Sequence, residues 1–150
     1  MVMQSFGIID DDLVEGWRRA THTMAISTLL RGTPYHLQHD RSYFPVQLCD
    51  KYQVAQNQVF DMKLEGVQHV IRDMTDTALQ NYEEAKVIWR KGCEKNKEYQ
   101  DMLLLASPSV FYLEQLKKRK YNIVDKALSS PFMNVKLQNR LLKQKKLHSF

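Results

Sequence analysis

Residues 59–93 read VFDMKLEGVQHVIRDMTDTALQNYEEAKVIWRKGC, and the fold turns on this stretch. Val59, Met62, Val67, Val70, Met74, Ala78, Tyr82, Ala85, Trp89 and Cys93 recur mostly at three- and four-residue steps, the period of a helix face. Working outward, nothing from about Asp50 to Ala106 stops a helix outright. As one rod those residues would span about 80 Å, so a break is expected. It is placed at Thr75-Asp76-Thr77, where short polar side chains compete with the backbone, or at Gly92. Asn81-Tyr82-Glu83-Glu84 resembles a fresh capping box. Residues 50–106 therefore read as a long helical hairpin or one bent helix.

Upstream, residues 1–10 read as an N-terminal arm and 11–31 as a helix. Asp10 can cap that helix, and Asp11 and Asp12 sit where the macrodipole favours negative charge. Leu13, Trp17, Ala20, Met24 and Thr28 form its apolar stripe. Arg31-Gly32-Thr33-Pro34 reads as its stop. Residues 32–48 then read as an extended strap, because Pro34 and Pro45 each push the preceding residue out of the helical region. Downstream, Ser107-Pro108 and Ser130-Pro131 look like helix starts with serine as cap and proline at the first position, within a basic helical tail over 108–150. Five glycines and four prolines are too few for a sandwich or barrel, which needs a turn every 8–12 residues. The expected fold is all-α: one elongated helical hairpin or bundle of four to five helices, with an extended N-terminal strap.

Charge is unevenly spread. Residues 115–150 carry ten Lys/Arg and one acid, Asp125, whereas residues 1–114 carry 12 Lys/Arg against 16 Asp/Glu. A mildly acidic body with a basic tail points to an acidic protein surface, anionic lipid headgroups or, as the alternative, nucleic acid. The longest apolar run, Met102–Ala106, is far short of a membrane span. The start lacks a secretory signal's basic flank, and Asp10–Asp12 do not suit a cleavable mitochondrial presequence.

The strap holds the densest chemistry: His36, His39, Asp40 and Cys49 among Tyr35, Tyr43 and Phe44. Zinc could use such ligands, and a cysteine beside a helix start could be an activated thiol. Structural zinc sites, however, come as paired knuckles, and no glycine follows Cys49 to form an oxyanion hole. Two cysteines without a CxxC read as reduced thiols. The glycines form no phosphate-binding loop. The acid pairs Asp61/Glu65 and Asp73/Asp76 lack an ExxH partner for a di-iron bundle and read as a solvated face. The chain thus reads as non-catalytic, with no metal and no cofactor. Its candidate partner-binding residues are Tyr35, His36, His39, Arg41, Tyr43 and Phe44 in the strap. In the tail they are Lys117, Lys118, Arg119, Lys120, Arg140, Lys143, Lys145 and Lys146.

HDRSYFPVQLCDKY, the long charged helix after it, Trp89-Arg90-Lys91-Gly92-Cys93-Glu94 and the Lys/Arg-rich end together resemble the PDSW-type accessory subunit of mitochondrial respiratory complex I. The likeness covers about residues 36–100. This chain departs from that family in having two cysteines where the family resembles a cysteine-richer, oxidised hairpin. The resemblance implies a non-catalytic subunit of a large protein assembly, peripheral to the mitochondrial inner membrane. The alternative is a cytoplasmic, RNA- or ribosome-associated helical protein that acts through its basic tail.

Overall fold

The structure, a computed structural model, describes residues 10–147, without the side chains of Glu98, Gln100, Lys146 and Leu147. The expected N-terminal arm falls outside the described residues up to Asp10. The elements are α1 (Asp11–Leu37), α2 (Val46–Lys51), α3 (Glu65–Lys95), α4 (Ser107–Lys118) and α5 (Pro131–Leu147), with 3₁₀ segments at Lys97–Ala106 and Lys126–Ser129. No strand occurs among the described residues. The expected all-α class is what the chain adopts.

Helix α1 begins as its sequence dictates. The Asp10 carboxylate accepts the Leu13 N–H at 3.1 Å, and Asp11 and Asp12 fill the first turn. Its inward face includes Leu13 and Ala20 of the expected stripe and extends to small residues beside it. Gly16, Ala20, Thr23, Ser27 and Leu30 are buried with Leu13, while Trp17 and Met24 lie at the edge and Thr28 is exposed. Small residues face inward because α1 runs antiparallel to α3 at close range. A Cβ added to Gly92 of α3 would sit 2.7 Å from Leu13 Cγ, and one on Gly16 would sit 3.2 Å from the Trp89 backbone N. The Thr23 hydroxyl spans the seam to donate to the Ala78 carbonyl at 2.9 Å, so a buried polar group gains the partner it needs.

Two apolar clusters line the molecule. Leu13, Ala20, Tyr82, Ala85, Trp89, Leu103 and Val110 form one. Leu30, Val67, Ile71, Leu113, Leu116 and, from the segment before α2, Phe44 form part of the other. Val67, Val70, Met74, Ala78, Tyr82, Ala85 and Trp89 are all buried as their spacing foretold. Cys49 is buried and Cys93 half-buried.

Several expected boundaries move. Helix α3 runs unbroken through Thr75-Asp76-Thr77 and Gly92, because the Thr75 hydroxyl turns back onto the Ile71 carbonyl at 2.7 Å and Gly92 is held against Leu13. Asn81 starts no helix; Glu84 is instead committed to Arg19 of α1 and to Gln80. The long hairpin expected over 50–106 is therefore one straight helix from Glu65, flanked by turns at 52–64 and a 3₁₀ segment after Asn96. Ala106 and not Ser107 occupies the α4 cap position, with Pro108 in the first turn.

The expected stop at Arg31–Pro34 also fails. Proline costs one backbone hydrogen bond there, the one to the Leu30 carbonyl, yet the helix runs on to Leu37 with Pro34 inside it. Only 41–45 of the expected 32–48 strap is extended; Pro45 becomes the cap of α2. What ends α1, α2 and α4 is one repeated device. Arg41 N donates to His36 O, Val54 N to Cys49 O and Tyr121 N to Leu116 O, at 3.0, 2.8 and 2.9 Å. The residue before each donor (Asp40, Gln53, Lys120) is left-handed, with φ 55°, 55° and 53°. This is the Schellman closure, which usually uses glycine.

Candidate functional site

The end of α1, the start of α4 and the first turns of α5 enclose a cleft of about 600 Å³. Arg31, Tyr35, Gln38, Tyr112, Met133 and Asn134 are among the residues that line it. The Arg31 guanidinium sits over the Tyr112 ring, 6.0 Å from its centroid. Burial pushes the Tyr112 hydroxyl up to about 12, against the opposing pull of Arg31, so this phenol stays neutral across the physiological range. The lining contains no carboxylate, imidazole or thiol. Such a cleft offers one cation, hydrogen-bonding amides and hydroxyls, and apolar walls.

Of the strap residues proposed for a partner, Tyr35 lines this cleft and His36, His39, Arg41, Tyr43 and Phe44 do not. Tyr35 stacks on His39 at 4.4 Å between centroids, and His36 meets Tyr43 edge-on at 4.8 Å. His39 Nδ1 lies 2.9 Å from the Tyr35 carbonyl. The histidines thus close the helix end, and no group of three or more His, Cys, Asp or Glu able to hold a metal occurs among the described residues. Of the three strap rings proposed as partner contacts, Phe44 is buried within the chain, and Tyr35 and Tyr43 are 63% and 51% exposed, Tyr35 at the cleft. Arg41 is exposed beside them.

The basic tail divides in two. Lys117 binds Asp76 at 2.8 Å, Arg119 faces Asp125 at 3.6 Å, and Arg140 pairs with Glu114 while lying over the Phe111 ring. Lys118, Lys120, Lys143 and Lys145 are exposed; the Lys146 side chain lies outside the described residues. The first group is thus internal mortar.

Asp73 and Asp76, expected on a solvated face, are anchors instead. Asp73 accepts from Lys51 at 2.7 Å and from the Tyr52 hydroxyl at 2.5 Å, and these two hydrogen bonds hold its carboxyl below the usual range. Asp76 accepts from Lys117 and, at 3.2 Å, from Tyr121. Each acid thus ties the chain that follows a Schellman-closed helix back to α3. The helical spacing of the two acids was visible in the sequence; the tyrosine partners, 21 and 45 residues away, were not. The Arg31–Tyr112 pair was missed for the same reason.

Comparison with known proteins gives two findings. The squalene/phytoene synthase family model matches residues 1–140. A Dictyostelium discoideum protein described as "NADH dehydrogenase (ubiquinone) complex I, assembly factor 6 homolog" is 30% identical over 126 residues, 81% of this chain. The chain spans 35% of the length of that relative. No solved structure matches. The family matched is not the PDSW-type subunit that residues 36–100 resemble. An aromatic–proline–cysteine stretch followed by charged helices suits many amphipathic folds, and here it builds a helix end and a cap.

Proposed function

We propose that this chain, which belongs to the squalene/phytoene synthase family, acts without catalysis as a helical binding element in the assembly of respiratory complex I. The observation that carries the reading is the make-up of the cleft: a cation, amides, hydroxyls and apolar walls, with no acid, imidazole or thiol among its lining residues. The two α3 acids best spaced to serve a bound cation, Asp73 and Asp76, are each occupied by a lysine and a tyrosine of the same chain. The relative's name supplies the assembly, and it favours an assembly factor over a resident accessory subunit. Mitochondrial location, peripheral to the inner membrane, belongs to the same reading. Among the described residues no helix is long and apolar enough to cross a membrane. The RNA-binding alternative is weaker, since Lys117, Arg119 and Arg140 are engaged within the chain.

The test is removal of the protein from cells, followed by native electrophoresis and NADH–ubiquinone activity. The expected result is loss of mature complex I with accumulation of partial assemblies, and absence of the protein from the mature complex. Stoichiometric co-migration with the finished complex would make it a resident subunit. Squalene or phytoene formation by the purified protein would make it an enzyme.

A further inference from the structure

Helix α5 has one apolar stripe more than its packing uses. Its inward side is Met133, Leu137, Arg140, Leu141 and Gln144: Met133 is 8% exposed and the other four are half-buried. A helix with one partner needs one such stripe. On the opposite side Phe132, Val135 and Leu142 fall at helical spacing and are 77%, 54% and 60% exposed. Lys143 stands toward that side and Lys136 and Lys145 at its two edges, all exposed. The helix carries no Asp or Glu along its whole length.

We propose that this outer face of α5 is a docking surface for an anionic lipid bilayer, lying in the headgroup plane with Phe132, Val135 and Leu142 dipped into the acyl boundary. Charge selects this occupant. Lysines flanking large exposed apolar side chains, on a helix with no acid, suit an anionic lipid surface, where each cation near the headgroups adds attraction. The core of a protein–protein interface, by contrast, is depleted of lysine. The one arginine of the helix is spent inward on Glu114, so the cations left for an outside partner are all lysines. Long lysine stems can lie along the apolar surface while their ammonium groups reach headgroup phosphates. The proposal does not depend on any role in complex assembly.

The experiment is flotation of the full chain with vesicles of phosphatidylcholine alone and of phosphatidylcholine with 30% cardiolipin. The expected result is recovery with the cardiolipin vesicles only, falling as salt is raised. F132E/L142E should weaken binding at least about tenfold, and K136Q/K143Q/K145Q about a hundredfold, from the roughly fivefold that each lysine near an anionic surface is worth. Val87, exposed on α3, provides the control: V87E should bind as the parent does. All three variants alter exposed positions, and unchanged far-ultraviolet circular dichroism and melting confirm that they fold. Absence of binding to both vesicle types overturns the proposal, as does binding that both α5 variants retain. A dimer that F132E/L142E converts to monomer, without lipid binding by the parent, overturns it in favour of a second copy of the chain.

Discussion

The seam between α1 and α3 and the outer joints from the end of α4 through α5 both tie helix to helix, yet the first rests mainly on close packing and the second adds ion pairs at the rim of α4's own buried face, Val110, Leu113 and Leu116. At the seam the backbones close to the limit that glycine allows, around Leu13, Gly16, Trp89 and Gly92, with one buried cross-helix hydrogen bond from Thr23. In the C-terminal region the joints are charged: Lys117 to Asp76, Arg119 to Asp125, Arg140 to Glu114. Dense apolar packing is sensitive to a single methyl group. Half-exposed ion pairs are worth little each. The first region should therefore decide whether the protein folds, and the second should decide how its surface is presented.

The sharpest way to break that contrast is at Trp89, which is 1% exposed. Trp89→Ala should cost about 3–5 kcal/mol in urea unfolding. An effect below about 1 kcal/mol would mean that the seam is not the core. Next comes Gly92→Ala. Alanine is the better helix former by about 1 kcal/mol, but its Cβ would collide with a buried leucine, and overpacking of this kind costs about 1–3 kcal/mol. A net loss is expected, read as a lower melting temperature. On the charged side, Asp76→Asn should cost only about 1 kcal/mol, and the double variant with Lys117→Gln should be no worse than the single one.

Two smaller effects sharpen the picture. Lys120 is an exposed left-handed residue at a Schellman closure, so Lys120→Gly should raise stability by about 1 kcal/mol. Glu15 gives the pH dependence. Hydrogen bonds from Arg18, then Arg19, lower its pKa from 4.5 to about 2. A lowered carboxyl favours the folded state fully above pH 4.5, and that contribution is lost as pH falls toward 2. Stability should fall across this window on acid titration, and Glu15→Gln should flatten the fall slightly.

Period and capping chemistry made the helices legible: the Asp10 cap and the buried face of α3 could be read residue by residue. The ends of the helices could not. Sequence rules look for glycine at a left-handed terminus, and here aspartate, glutamine and lysine occupy it, so α1 reads as ending at Arg31 and the first half of α2 reads as strap. The inward face of α1 was only partly legible because threonine and serine at close range behave as small core residues. Of the cleft, Tyr35 was visible, but Arg31 meets Tyr112 only through the tertiary fold.

One of the closest approaches between helices, Gly92 against Leu13, joins residues 79 positions apart. During synthesis at about 5–20 residues per second, α1 would wait roughly 4–16 s before its partner is even polymerised. Throughout that interval Leu13 and Trp17 have no long helix to bury them. The nascent first helix is therefore where a chaperone has the most time to act.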